Sequence, residues 1–274
     1  IPHTMIEEKK EVKKYWNTSS CGEKAYLPNN TKIGYNTHSA KRYELEPCIL
    51  KFAKFEEARG KSVLEIGVGL GADHQNFAEN DTDLYGIDLT ERAIEHVSHR
   101  FSLMSLKSNL SVGDTENLNF KDNFFDLVYS WGVIHHTPNI SKAIQEIYRI
   151  LKPGGKFKIM IYHKYSIVGY MLWLRYALCR LKPFMSLTKV YANHLESPGT
   201  KAYSKKEALA LFSMFKKVKI ETVLSHADLL SSHVGQKHKG LILSFAKKIF
   251  PRFLIKHFFP NHGLFMLIQG IKQP

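Results

Sequence analysis

The chain has 274 residues, 44% of them hydrophobic and 12% aromatic, enough to bury a sizeable core and too many for a disordered or fibrous protein. Cys21, Cys48 and Cys179 stand far apart with no CxxC or Cys/His cluster, which argues against a disulfide scaffold or structural zinc and sets a reducing, cytoplasmic setting as the expectation. Lys and Arg outnumber Asp and Glu by 39 to 25, a formal +14 that favours contact with something anionic: nucleic acid, a phospholipid surface, or a charged substrate or cofactor.

Residues 7–16 are charged and read as a helix, and a polar stretch follows to Asn36. No apolar h-region stands at this end, so no signal peptide is expected, and no window approaches the ~18 apolar residues of a membrane span. Over 44–58, Leu45, Cys48, Ile49, Phe52 and Phe55 recur every three or four positions, which predicts an amphipathic helix stopped by Gly60. From Ser62 short apolar runs alternate with helical patterns. Strands are predicted at 63–66, 83–87, 109–112, 124–129 and 156–161. Helices are predicted at 72–79, 90–101 and 141–151, the second capped by Thr90 with Glu91 answering the helix dipole. That alternation predicts a parallel sheet with helices on both faces. Beyond it, 167–181 reads as an apolar helix and Ser197-Pro198-Gly199 as a break. Ser204 with Glu207 forms a capping box for a helix to Phe215. Segments 218–223 and 263–271 read as strands, and 241–257 as a basic amphipathic helix.

The chemistry gathers at the strand ends. Gly67-Val68-Gly69-Leu70-Gly71 follows a strand and opens a helix, where glycines let the backbone turn tightly and approach a ligand. The next strand ends in Gly86-Ile87-Asp88, a carboxylate about twenty residues on, where a ribose would lie. The third ends in Gly113-Asp114 and the fourth in Ser130-Trp131-Gly132, while Leu151-Lys152-Pro153-Gly154-Gly155 introduces the fifth.

Together with Val63-Leu64-Glu65-Ile66, Phe125-Asp126-Leu127-Val128 and His135-His136, these segments resemble the ordered motifs of class I S-adenosylmethionine-dependent methyltransferases of the small-molecule type, over roughly residues 61–161. Five motifs in the right order carry the resemblance, not any one of them. It implies an α/β fold with a Rossmann-like, seven-stranded, mostly parallel sheet, helices on both faces, an antiparallel last strand inserted beside strand six, and a helical cap. It implies one domain over 1–274: a helical lid at 5–58, a cofactor core at 61–161, a substrate-cap insertion at 162–203, and the rest of the sheet with a helical insertion at 204–274. The implied cofactor is S-adenosyl-L-methionine, leaving as S-adenosyl-L-homocysteine. Asp88 would accept from both ribose hydroxyls, which suits a carboxylate. Asp114 would read the adenine amino group, with Leu89 and Thr115 beside the ring. Glu65 and the backbones of Gly67, Ser130 and Trp131 would hold the methionine part, with Gly69 and Gly71 completing the turn. A nicotinamide dehydrogenase fits less well, because its GxGxxG turn has the third glycine one residue later.

Transfer from a sulfonium needs an aligned acceptor, exclusion of water and, for a protonated oxygen or nitrogen, a base. His135 is the first candidate for base or acceptor positioning and His163 the second, with Tyr162 beside it at the end of the fifth strand. The scatter of the 14 histidines shows no metal-ligand spacing, so no metal is expected. Tyr15, Trp16, Arg42 and Tyr43 are expected in the lid, and Tyr170, Trp173, Tyr176 and Phe184 in an apolar acceptor pocket. Lys247, Lys248, Arg252 and Lys256 lie among Phe245, Ile249, Phe250 and Phe253, as in a helix making peripheral contact with an anionic membrane. Nucleic acid is argued against by the absence of a recognition module and of an Asn/Asp-Pro-Pro-Tyr signature. The expectation is a methyltransferase acting on an oxygen, nitrogen or carbon of a small organic molecule. The alternatives are a lipid-like or membrane-presented acceptor, and a non-catalytic cofactor- or RNA-binding module. The sequence leaves the oligomeric state open.

Overall fold

Strand and helix do alternate as the apolar pattern requires. A computed structural model describes residues 2–231 and 250–273 and places seven strands in one sheet, in the order β3-β2-β1-β4-β5-β7-β6. Strands β1 (Ser62–Ile66), β2 (Asp83–Asp88), β3 (Asn109–Val112), β4 (Phe125–Trp131) and β5 (Leu151–Tyr162) are parallel. The last strand, β7 (Phe265–Ile271), runs antiparallel between β5 and β6 (Lys216–Val223), as the resemblance implies. The central strands are largely apolar because both their faces are covered: Val63 to Ile66 of β1 and Leu127 to Trp131 of β4 are all buried, Glu65 and Ser130 being the polar residues among them.

Ahead of the sheet come α1 (Pro2–Thr18), α2 (Glu23–Tyr26), α3 (Lys32–Leu45) and α4 (Cys48–Ala53). Helices α5 (Ala72–Ala78), α6 (Glu91–Met104) and α7 (Ile140–Ile150) lie in the β1–β2, β2–β3 and β4–β5 crossovers, and α8 (Ile167–Tyr176), α9 (Leu187–His194) and α10 (Lys205–Leu211) lie between β5 and β6. Helix α7 buries Ile140, Ile144, Ile147 and Ile150, one stripe at helical spacing, into the core that also holds Leu64, Phe125 and Phe157. The opposite core holds Val63, Phe77, Val97 and Tyr129 with Ile49 of α4. Because β1 lies between β2 and β4, the order of the sheet reverses at its carboxyl end, and a crevice opens there.

Several expectations need correction. The single helix over 44–58 is instead the end of α3, then α4, then a 3-10 turn at Phe55–Ala58. Pro47 is the cause: the residue before a proline is pushed out of the helical region, and Glu46 sits at φ −126°, ψ 58°. Lys54, at φ 50°, then ends α4. The stretch read as polar to Asn36 contains α2 and the start of α3, where the Thr31 hydroxyl accepts from Gly34 N–H as the amino-terminal cap. The Leu151-to-Gly155 turn is a bulge within β5. Leu151 pairs with Phe125 and Lys156 with Leu127, so the proline and glycines loop out of register. The helix read as 167–181 stops at Tyr176, and α9 lies in a stretch for which no element is predicted. The helix read to Phe215 ends at Leu211, though its capping box is present. Of the basic segment 241–257, Arg252–Phe258 is helical, while Phe245, Lys247, Lys248 and Ile249 lie outside the described residues. Among the described residues no helix is long and apolar enough to cross a membrane. Cys21, Cys48 and Cys179 are unpaired.

Candidate functional site

The crevice at the switch point is a cavity walled by the turn after β1, the tips of β2 and β3, the turn after β4, and α1 lying across them. Gly67 shapes it. Its φ is +82°, its N–H donates to Ile87 O at 2.7 Å, and a Cβ there would stand 2.1 Å from Val133 Cγ2. Gly69, at φ +52°, has nothing within 4 Å of its Cβ position, and its N–H donates to Asp88 Oδ2 at 3.2 Å. These two glycines therefore fail differently. Gly67→Ala combines left-handed strain of ~1–2 kcal/mol with overpacking of ~1–3 kcal/mol, and is expected to lower Tm. Gly69→Ala carries the strain alone, and its methyl would stand where the cavity is. Melting curves with ligand titration are expected to show a stability loss dominant in the first and an affinity loss dominant in the second; equal effects on both would refute the distinction.

The carboxylates come next. Asp88, at the tip of β2, accepts through Oδ1 from Thr90 N–H at 3.0 Å and Thr90 Oγ1–H at 2.8 Å. Burial raises its pKa against the pull of these bonds and of Gly69 N–H. Asp114, after β3, takes Lys9 Nζ of α1 at 2.6 Å on Oδ2 and Glu116 N–H at 2.9 Å on Oδ1. Lys9 also reaches Glu116 Oε2 at 2.8 Å, so α1 is fastened over this end of the cavity. Leu89 and Thr115 line the same end, and Thr115 Oγ1 is buried without a partner among the described residues.

Glu65 and Gly71 line the opposite end with Asp73 and Arg42. Burial and the neighbouring Asp73 charge push the Glu65 carboxyl well above its usual range, while burial drops the His74 imidazole to about 3. Ser108 Oγ–H donates to Leu84 O at 3.0 Å, so neutral His74 donates to Ser108 Oγ through Nε2 at 2.7 Å. His74 Nδ1 then accepts, at 2.9 Å, the proton that Glu65 keeps. Asp73 takes the other role. Burial would raise its pKa, but Arg42 Nε at 3.2 Å and Nη2 at 2.8 Å, Tyr129 OH at 2.9 Å and Tyr43 OH at 3.0 Å hold it below the ordinary carboxylate value.

At the β4 end the placement departs from the sequence reading. Trp131 lines the cavity, but Ser130 does not: it is fully buried and its hydroxyl donates to Ile66 O at 3.1 Å. His136, rather than His135, forms the wall. Its Nδ1 lies 2.9 Å from Ser197 Oγ and 3.2 Å from Thr200 Oγ1, its Nε2 lies 3.5 Å from Glu196 Oε2, and Trp16 meets its ring edge-on. His135 is fully buried behind it, 4.2 Å from the His136 ring and 4.0 Å from the Tyr162 ring, and neither of its ring nitrogens has a hydrogen-bond partner among the described residues. Tyr162 OH donates to Glu196 at 2.7 Å. His163 is buried away from the cavity, with Nδ1 3.2 Å from Gly263 O. Of the lid residues, Trp16 and Arg42 face the cavity, while Tyr43 binds Asp73 behind it. The cap aromatics stay out: Trp173 donates to Met185 O, Tyr176 stacks on His194, Tyr170 meets His262, and Phe184 is fully exposed.

Lys9, Glu196 and the cavity-lining Cys21 were not legible as site residues. Arg42 was placed in the lid, but nothing in its spacing pairs it with Asp73. Among the described residues, His135, His136 and Glu196 are also a group whose ligand atoms all lie within 4.8 Å of one another.

Residues 64–159 match a methyltransferase-domain family. A phosphoethanolamine N-methyltransferase of Caenorhabditis elegans is 34% identical over 135 residues, 48% of this chain and 30% of that protein. A sterol 24-C-methyltransferase of Aspergillus fumigatus is 32% identical over 103 residues, 36% of this chain and 27% of that protein. The match thus spans less than a third of the length of these curated relatives. A phosphoethanolamine N-methyltransferase of Haemonchus contortus, solved with phosphomonomethylethanolamine and S-adenosylhomocysteine, superposes with a TM-score of 0.57 at 14% identity, covering 92% of this chain and 59% of that one, a likeness of fold.

Proposed function

Because residues 64–159 match a methyltransferase-domain family, we propose that the chain is a class I S-adenosylmethionine-dependent methyltransferase that binds S-adenosylmethionine in this cavity and moves its methyl group to a small organic acceptor. One observation carries the reading: the glycine turn after β1 and the carboxylates Asp88 and Asp114 line a single cavity. Asp88 would take the ribose hydroxyls, with Oδ2, which accepts from Gly69 N–H, as the oxygen that keeps acceptor capacity. Asp114 and the unpartnered Thr115 Oγ1 are the polar groups for the adenine edge, with Leu89 on the ring. Glu65, Gly67, Gly71 and the Trp131 backbone face the aminocarboxylate part, and Ser130 supports that strand end from inside. Arg42, held by Asp73, brings the positive charge for a carboxylate.

Bound there, the cofactor supplies an electrophilic methyl on sulfur. The protein aligns the acceptor and excludes water, and the β4 end is suited to both. Trp16 and Trp131 give apolar walls, and His136, with Glu196 and Tyr162 beside it, gives polar groups for an acceptor heteroatom. His135 backs His136, and His163 has no contact with the cavity in this reading. The cytoplasm remains the proposed setting, resting on the three unpaired cysteines. Peripheral membrane contact rests on Phe253 and Phe258, exposed on the helix Arg252–Phe258.

Calorimetric titration with S-adenosylmethionine, followed by a labelled-methyl screen over metabolite, lipid and RNA pools, tests the proposal. Saturable binding with transfer to a small molecule is expected; absence of binding refutes it, and binding without transfer makes the chain a non-catalytic module. On the acceptor so found, His136→Ala is expected to lower turnover by ~100-fold with cofactor affinity kept within about twofold.

A further inference from the structure

Buried imidazoles normally satisfy both ring nitrogens, and a group that does not calls for an ion, a water or a strain. Among the described residues, His135 Nδ1 and Nε2 are both buried and unpartnered, and His136 Nε2, on the next residue of the 3-10 turn Ile134–His136, has no hydrogen bond. Glu196 faces the same point from the segment after α9. We infer that His135, His136 and Glu196 form a binding site for one divalent transition-metal ion, zinc being the best match to two imidazoles and a carboxylate.

The spacing fits. Bonds of 2.0–2.2 Å at tetrahedral angles put ligand atoms about 3.3 Å apart. His136 Nε2 and Glu196 Oε2 are 3.5 Å apart, and the three ligand atoms lie within 4.8 Å of one another, so His135 needs only a small approach. The ligands are also oriented from behind, as metal ligands usually are. His136 Nδ1 is held by Ser197 Oγ and Thr200 Oγ1, which leaves Nε2 as the free lone pair. Tyr162 OH holds Glu196 Oε2. The nearby ammonium of Lys201 is already bound to Glu8 and Thr137 O. Three protein ligands leave a fourth position, and because His136 lines the cavity, an oxygen or nitrogen of a small molecule there is the ligand class it would take. The inference does not depend on methyl transfer, since a metal is titrated without cofactor or acceptor.

The test uses the full chain without a histidine tag. Elemental analysis of the purified protein is expected to give one zinc per chain. After chelation, cobalt(II) is expected to give the visible bands of a four-coordinate site, displaced by zinc. His135→Ala and Glu196→Gln are expected to weaken cobalt binding by at least ~100-fold, and Ser197→Ala, which removes a support and no ligand, by ~10–100-fold. Melting curves and circular dichroism check that each variant is folded. Should His135→Ala fail to fold, Glu196→Gln, at a partly exposed position, decides. No metal and no cobalt bands in the native chain overturn the inference, and so do bands that persist unchanged in a folded Glu196→Gln variant.

Discussion

Asp88→Asn is expected to weaken S-adenosylmethionine binding by ~100-fold in calorimetry while leaving the melting temperature nearly unchanged. An asparagine keeps one acceptor oxygen for the Thr90 N–H and hydroxyl, so the turn at the tip of β2 survives. It loses the charge and replaces the other oxygen with a donor, which opposes Gly69 N–H and a ribose hydroxyl. Hydrogen bonds to a charged group contribute ~1.5–3 kcal/mol each, and losing the charge from two of them gives the expected factor. Unchanged affinity would remove the β2 tip from the cofactor site, and with it the proposed pose. The same substitution at Asp114 should act more weakly, because Lys9 already shares that carboxylate.

Arg42→Met is expected to act on stability and affinity together. Asp73 is almost wholly buried, and the guanidinium is the cation that lets it stay ionised. Removing one partner of a buried pair costs about 3–5 kcal/mol. The lower end applies here because Arg42 also borders the cavity, which corresponds to a fall in Tm of roughly 6–12 °C. The pH dependence has a definite sign. In the native chain the Asp73 pKa lies below its unfolded value, so its stabilisation is present above the ordinary carboxylate range and is lost as pH falls through the lowered value. In the variant burial wins and the carboxyl rises, so ionisation opposes folding. The stability gap between the two proteins should be widest near neutral pH and close below about pH 4. A gap that is flat from pH 4 to 7 would mean that Asp73 is not the group that suffers.

What the sequence disclosed was local. The run from Val63 to Ala72 changes from strand to turn to helix within ten residues, and each step has its own residue signature. Asp88 and Asp114 were legible because a strand tip next to a known turn can lie in only one place. His135 and His136 were legible as a pair, but which of them borders the cavity depends on the rotation of one short 3-10 turn. Glu196 was hidden by distance, sixty residues downstream beside Ser197-Pro198-Gly199, which reads as a break. Lys9 was one lysine of several in a charged helix, 105 residues from its partner Asp114. The cap aromatics misled because apolar helices α8 and α9 use them against each other and the surface rather than against the cavity.

The placement of β7 has a consequence for how the chain leaves the ribosome. Strand β7, made after both of its neighbours, occupies an interior seat between β5 and β6. Until Phe265–Ile271 emerges, β5 is an open edge and β6 has no neighbour to join. Open edges recruit strands from other molecules, so a nascent chain that still lacks β7 carries an association hazard at β5, which pairing with Phe265–Ile271 removes.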